Sequence, residues 1–467
     1  MRTFEILTAL FLLVTILRNL LPARPRWMEF LPAITLLVAL VQIVFEGYRW
    51  QMLPIYIFAL LLLLIPNLLP KKSQQTLARS LWLKIAGLIL LLGIFVPSIA
   101  LPVLLPVPRL PAATGPYKVG TFSIMLTDTS RKEQYSGNPD NPRRIMIQVW
   151  YPAEPKSNNR FAPWVDRADI ISPAISRYLK LPSFFLDHLK YARTGAYLDA
   201  PSSNVRKSYP LLLFSHGWNG FRSQNSYQVI NYASNGFVVI AVDHTYGSVA
   251  TVFPDGEVAY NNPQALPEGL PDKEYFPIAN RLINQWAGDL GFVLDTLAVM
   301  NRDDPAHGLT GKIDLDKVGV FGHSTGGGAA VEFCERDSRC KAGVGLDAYM
   351  SPVSETVLEL GLRQPFLFMF SETWPSNKNW KLFNELFSNS DQATVLTILG
   401  TSHYDFTDLP ILSPIAAQLG LKGALASDRV VKIVSNYPLA FFNQVFYGIP
   451  TNLLDGPSKV YPEVVIP

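Results

Sequence analysis

The pattern of apolar and polar positions changes near residue 110. Before it, four apolar stretches follow one another, at 4–17, 31–45, 53–69 and 81–105. Crossing the hydrocarbon core takes roughly 20 mostly apolar residues. The third and fourth stretches meet that length. The first meets it only with residues 19–21, and the second is slightly short without Gly47 and Tyr48. Helices in a soluble core would keep a polar face, and 60–65 has none. The pattern therefore predicts an all-α membrane domain over 1–108, with about four transmembrane helices. Arg2 opens the chain, but Glu5 follows and no small-x-small cleavage site comes after, so the first stretch reads as a retained helix. Prolines recur over 106–116, where a stiff, extended linker (109–116) is expected.

From residue 117 the period is different. Short apolar runs lie at 119–125, 145–151, 211–215, 237–242, 317–321, 342–346, 366–370 and 394–399. The first two alternate and are joined by a polar loop, which predicts an antiparallel hairpin. The later runs are continuous, as in strands buried on both faces. Helical patterns separate them; the longest spans 278–300, and another at 428–447 closes the chain. Eight strands with helical crossovers predict an α/β domain over 117–467, built on a mostly parallel sheet. Residues 152–209 fit no simple crossover and read as a cap or a surface excursion.

Composition narrows the function. Hydrophobic residues make up 49% of the chain and its mean hydropathy is +0.17, in keeping with membrane segments. A net charge of +3 offers no concentrated basic face, so no nucleic-acid partner is expected. Two cysteines, Cys334 and Cys340, exclude a disulfide-rich scaffold and a cysteine–zinc cluster. They could pair in an oxidising compartment or stay as two free thiols. The six histidines are scattered, and no metal or other cofactor is expected. Cations gather in the first connection (Arg18, Arg24, Arg26) and the third (Lys71, Lys72, Arg79, Lys84), while in the second the charge of Arg49 is offset by that of Glu46. Those two connections should be cytoplasmic. With four spans this gives a multi-pass inner-membrane protein whose catalytic domain is extracytoplasmic; three spans would reverse it.

The chemistry centres on Gly322-His323-Ser324-Thr325-Gly326, placed between a predicted strand and a predicted helix. This is the G-x-S-x-G nucleophile turn of the α/β-hydrolase fold, with Ser324 exposed at the carboxyl edge of the sheet. A serine hydroxyl needs a base to take its proton. His403, after the last core strand, meets that need. His323 should point away across the turn, and His216 and His244 end earlier strands. Two carboxylates could orient the base: Asp347 after the sixth strand and Glu372 after the seventh. Position alone favours Glu372. The oxyanion hole needs two backbone N–H groups, for which Thr325 and Trp218 are the candidates.

Together these pieces resemble the platelet-activating factor acetylhydrolase family, the plasma and type II lipid esterases. The resemblance lies in Phe214-Ser215-His216-Gly217-Trp218 with Phe221-Arg222, Gly322 to Gly327, Gly345-Leu346-Asp347-Ala348-Tyr349-Met350, and Gly400-Thr401-Ser402-His403 with Asp405-Phe406. It covers roughly 117–467 and implies an eight-stranded α/β-hydrolase fold. It also implies metal-free hydrolysis of short or oxidised acyl esters, and Asp347 rather than Glu372 as the acid. Two departures stand out: Thr325 replaces a bulky apolar residue, and the membrane anchor is foreign to the animal enzymes. A general carboxylesterase is compatible with the same residues. A catalytically idle scaffold is opposed by the complete serine, acid and histidine set. A transporter is opposed by the scarcity of ionisable groups within the spans.

Overall fold

A computed structural model of the protein describes residues 1–18, 25–68, 81–138, 140–374 and 376–467. The chain forms two compact units. The first holds Met1–Pro108, joined by Asp187–Tyr191 and Leu412–Ile415; the second holds the rest.

The first unit contains α1 (Thr3–Leu17), α2 (Leu31–Glu46), α3 (Leu53–Leu68) and α4 (Leu81–Leu104). Pro32 opens α2, where a missing N–H costs nothing, and Gly47 ends it at φ +81°. Leu12, Ile16, Met52, Ile55, Phe58 and Phe95 pack inside the unit, whereas Leu37, Val44, Phe45, Ile89 and Leu90 point outward. Arg49 is fully buried and donates to Glu5 at 2.6 and 2.8 Å and to the carbonyls of Leu105 and Pro102. The carboxylate partner of Arg49 is therefore Glu5.

The expectation of about four transmembrane helices needs correction. Among the described residues, Arg26–Glu46 and Ile85–Leu104 are long and apolar enough to cross a membrane. Thr3–Leu17 and Trp50–Ile65 are shorter. A 15-residue helix such as α1 rises roughly 22 Å, short of a hydrocarbon core of about 30 Å. Asn19 to Leu21, on which the length of the first stretch depended, lie outside the described residues, as do Arg24, Lys71, Lys72 and Arg79.

In the second unit the strands are β1 (Lys118–Lys132), β2 (Pro142–Ala153), β3 (Phe161–Pro163), β4 (Arg193–Leu198), β5 (Tyr209–Ser215), β6 (Val238–Asp243), β7 (Ala250–Val252), β8 (Val258–Tyr260), β9 (Ile313–His323), β10 (Cys340–Leu346), β11 (Phe366–Ser371), β12 (Ala393–Ile398) and β13 (Val464–Val465). The main sheet runs β13-β12-β11-β10-β9-β5-β6-β2-β1-β4-β3, and β7 and β8 form a separate hairpin. All eight expected strands are present, with β1 and β2 as an antiparallel pair. Strands β6, β5, β9, β10, β11 and β12 are mutually parallel. The sheet has 11 strands rather than eight, because β3, β4 and β13 extend its edges. Of the stretch 152–209, β3 and β4 join the sheet and α5 (Ala168–Tyr178) is helical, so it is more than a surface excursion.

Helices cover both faces. On one lie α7 (Asp272–Arg302), α8 (Thr325–Arg336), α9 (Glu355–Leu360) and α10 (Asn377–Ser388); on the other lie α6 (Ser226–Ser234) and α11 (Ser427–Tyr447). The period-two rule is visible in β5: Leu211 and Leu213 pack on the first face, Leu212 and Phe214 on the second. A disulfide joins Cys334, near the end of α8, to Cys340 at the start of β10. Because β5, β9, β10, β11 and β12 run parallel, the loops after them gather at one edge, where sheets of this kind bind ligands.

Candidate active site

Ser324 stands between β9 and α8 with φ +56° and ψ −122°, a conformation that a non-glycine residue holds only under constraint. The constraint is visible. Its N–H donates to Leu346 O at 2.9 Å, and its own carbonyl accepts from Gly327 and Tyr349. Gly326 must be glycine: a Cβ there would lie 2.1 Å from Ser215 O and 2.3 Å from His216 O.

Asp347 follows β10 with φ +46° and is fully buried. Its carboxylate accepts from the N–H and hydroxyl of Ser371, each at 2.6 Å, and from His403 Nδ1 at 3.1 Å. The structure thus brings Asp347 to His403. Glu372, the alternative acid, instead accepts from Gly400 N–H at 2.7 Å, closing the turn after β12. That bond gives it a local structural task. Asp347, after the preceding strand, stands at φ +46° with its carboxylate against the imidazole.

His403 opens a short 3-10 turn, His403–Phe406, fastened by Asp405. The Asp405 carboxylate accepts from Ser402 N–H at 2.7 Å and from Gly423 N–H at 2.6 Å. With Nδ1 engaged by Asp347, Nε2 is the ring nitrogen left for the serine. Among the described residues no hydrogen bond joins Ser324 Oγ to His403. Such bonds are often long without substrate.

Three residues that pattern reasoning did not assign surround the His403 ring, two directly and one through His323. The indole of Trp374 stacks on the His403 ring, with centroids 3.6 Å apart and 18° between planes. The His323 ring comes within 4.4 Å of the His403 ring, and its Nε2 donates to His403 O at 3.0 Å. Its Nδ1 then accepts from Gln224 Nε2 at 3.0 Å, and Gln224 Oε1 accepts from Gly217 N–H at 3.3 Å. Burial drives the His403 pKa down to about 3, which keeps the imidazole neutral as a base requires. Burial pushes the Asp347 carboxyl the other way, against the two Ser371 donors.

A cavity of about 400 Å³ opens beside Ser324, lined by Trp218, Tyr275, Thr325, Tyr349 and Trp374. Lys378 and Asp272, paired with each other, also line it. The hydroxyls of Tyr275 and Tyr349 are 2.8 Å apart and link opposite walls. The N–H groups of Trp218 and Thr325 donate to no acceptor among the described residues, although both flank the serine. His216 and His244 are wholly buried below the loop after β5 and do not line the cavity. Among the described residues no group of three or more His, Cys, Asp or Glu could hold a metal ion.

Comparison with known proteins places the chain among ester hydrolases. A platelet-activating factor acetylhydrolase of Cavia porcellus is 26% identical over 389 residues, covering 77% of this chain and 84% of that one. A probable 1-alkyl-2-acetylglycerophosphocholine esterase of Arthroderma benhamiae is 25% identical over 401 residues, covering 76% of this chain and 93% of that one. Among solved structures, a ferulic acid esterase from Streptomyces cinnamoneus superposes with a TM-score of 0.63 at 27% identity, over 77% of this chain and 99% of that one. The profile of the family described as platelet-activating factor acetylhydrolase, isoform II, matches residues 106–448, which span the whole sheet edge just described. A serine on a strained turn, an imidazole and a buried carboxylate thus stand within a sequence match that covers most of the chain, and the protein belongs to the platelet-activating factor acetylhydrolase isoform II family of carboxylic ester hydrolases.

Proposed function

We propose that this protein hydrolyses lipid esters carrying short acyl groups, through an acyl-enzyme on Ser324. The observation that carries the reading is the bond from His403 to buried Asp347, at the sheet edge that also presents Ser324. Ser324 Oγ attacks the acyl carbon while its proton passes to His403 Nε2. The carbonyl electron pair moves onto oxygen, where the Trp218 and Thr325 N–H groups receive it. Collapse breaks the bond to the alcohol oxygen, which leaves with the proton from His403. Water then gives a proton to the same nitrogen, attacks the acyl carbon and releases the carboxylic acid, restoring Ser324. Asp347 holds the imidazole tautomer that makes Nε2 the acceptor.

The bulky side chains of Trp218, Tyr349 and Trp374 beside Ser324 support a compact acyl group. The two apolar helices of sufficient length support attachment to a membrane, where lipid esters are concentrated. The disulfide supports an extracytoplasmic catalytic domain, since such bonds persist in oxidising compartments. A second reading, an esterase for aromatic acyl groups, is favoured by the indole and phenol walls of the cavity and by the ferulic acid esterase likeness.

The test is turnover by the full-length protein in detergent micelles. The substrates are a phospholipid with a two-carbon acyl group, one with a long acyl chain, and a methyl hydroxycinnamate. Short-acyl phospholipid turnover that vanishes in Ser324→Ala supports the main reading. Preferential hydroxycinnamate turnover favours the second. No turnover of any ester would leave a non-catalytic scaffold.

A further inference from the structure

Below the loop that carries Trp218 lies a second serine–histidine–aspartate chain, shut off from solvent. Ser215, His244 and Asp289 are each fully buried. Ser215 Oγ is 2.9 Å from His244 Nε2, and His244 Nδ1 is 2.9 Å from Asp289 Oδ2. The hydrogen positions follow from the partners. A carboxylate can only accept, so His244 carries its proton on Nδ1 and Nε2 accepts from the Ser215 hydroxyl. Asp289 is itself held by Arg131 at 2.9 Å and by Arg143 at 2.6 and 3.1 Å. Burial opposes its ionisation, but the two guanidinium groups and His244 prevail and hold its carboxyl well below the usual range.

The next residue is equally determined. His216 Nε2 accepts from His244 N–H at 3.2 Å, so its proton is on Nδ1, which donates to Gly217 O at 2.7 Å. Ser248 Oγ lies 2.8 Å from the same Nε2. Trp286, one turn before Asp289 on α7, forms the floor. It stacks on His244 at 4.2 Å and 7°, meets His216 edge-on at 5.2 Å, and lies under Trp218 at 6.4 Å and 27°. A Cβ on Gly247 would sit 2.3 Å from its ring, so the backbone there packs directly against the indole. The side chains of Ser215 and His216 and both backbone groups of Gly217 are thus fixed, and the next residue, Trp218, lines the cavity with an N–H that donates to no acceptor among the described residues.

This buried chain cannot react with substrate, since no part of it reaches solvent. We propose that Ser215, His244 and Asp289, with Trp286 beneath, are positioning residues that aim the Trp218 N–H at the developing oxyanion. The proposal rests on the ester-hydrolase reading and goes beyond it, because it assigns four residues outside the catalytic set to transition-state stabilisation. Support aimed at a charge formed only in the transition state should appear in kcat and leave KM alone.

The experiment uses the full-length protein in detergent micelles with p-nitrophenyl butyrate, and a short alkyl trifluoromethyl ketone whose adduct with Ser324 carries the oxyanion. His244→Phe keeps a ring on Trp286 but loses both side-chain hydrogen bonds; Ser215→Ala removes a single hydroxyl. For His244→Phe, kcat should fall roughly 10- to 100-fold, the cost of a misaimed donor, with KM within about twofold. For Ser215→Ala the fall should be about fivefold. Inhibition by the ketone should weaken by the same factors. Unchanged kcat, or a fall in kcat with ketone inhibition intact, overturns the proposal. If His244→Phe does not fold, Ser215→Ala decides. An inactive parent protein would instead sink the ester-hydrolase reading, so the two failures are distinguishable.

Discussion

Replacing Asp347 by asparagine tests the site most sharply, because the hydrogen-bond directions around it are known. The carboxylate accepts three bonds: Ser371 N–H on one oxygen, and Ser371 Oγ and His403 Nδ1 on the other. Asparagine can keep its oxygen on the Ser371 N–H, which leaves its NH2 facing Ser371 Oγ and His403. The amide then donates to Nδ1 and drives the imidazole proton onto Nε2, where no serine proton can be received. The shape of the site is retained and the base is lost. A wrong tautomer of this kind lowers kcat by about 10⁴-fold, or about 5.5 kcal/mol, with KM little changed. Glu372→Gln, whose hydrogen bond among the described residues is to the Gly400 amide, should stay within about threefold of the parent. The assay is initial-rate hydrolysis of p-nitrophenyl butyrate, with thermal melting to check that both variants fold. An Asp347→Asn protein within tenfold of the parent, beside an inactive Glu372→Gln, would refute the assignment of the acid.

Other consequences can be measured in parallel. Burial holds the His403 pKa near 3, so the neutral base should persist well into acid; the acid limb of kcat/KM should lie below 6.5, and a limb at 7 would contradict this. Trp374→Ala, which uncovers one face of that ring, should move the limb up toward 6.5. Gly326→Ala places a methyl against two backbone carbonyls and should abolish soluble expression or cost about 3 kcal/mol in a denaturant melt. Joint replacement of Cys334 and Cys340 by serine opens a small loop and should lower stability by about 2 kcal/mol, read as a shift in denaturation midpoint.

Much of the architecture was legible in the pattern of apolar runs, for physical reasons. Strands β5, β9, β10 and β11 are buried on both faces, so they stand out as unbroken apolar segments. The edge strands did not, since β3 has three residues and β13 has two, too few to show a period. The places of the candidate nucleophile and base were legible from spacing: Ser324 lies in a glycine turn between strand and helix, and His403 follows the last parallel strand. The acid was not, because two strands in succession end in a carboxylate and local order cannot say which turns inward. Trp374 and Gln224 left no trace in the pattern, as they act through contacts made only in three dimensions. The count of membrane helices erred because stretches near the minimum length were counted as spans, whereas α1 and α3 have 15 and 16 residues.

Gln224 has a consequence for how this site can change. Its single amide grips the loop bearing Trp218 through Gly217 N–H and the loop bearing His403 through His323. Two segments that begin almost two hundred residues apart are therefore geared together, and neither can be lengthened or re-angled alone. A protein engineer seeking a roomier pocket would do better to leave both untouched and reshape 266–272, whose residues line the cavity from a stretch outside that coupling.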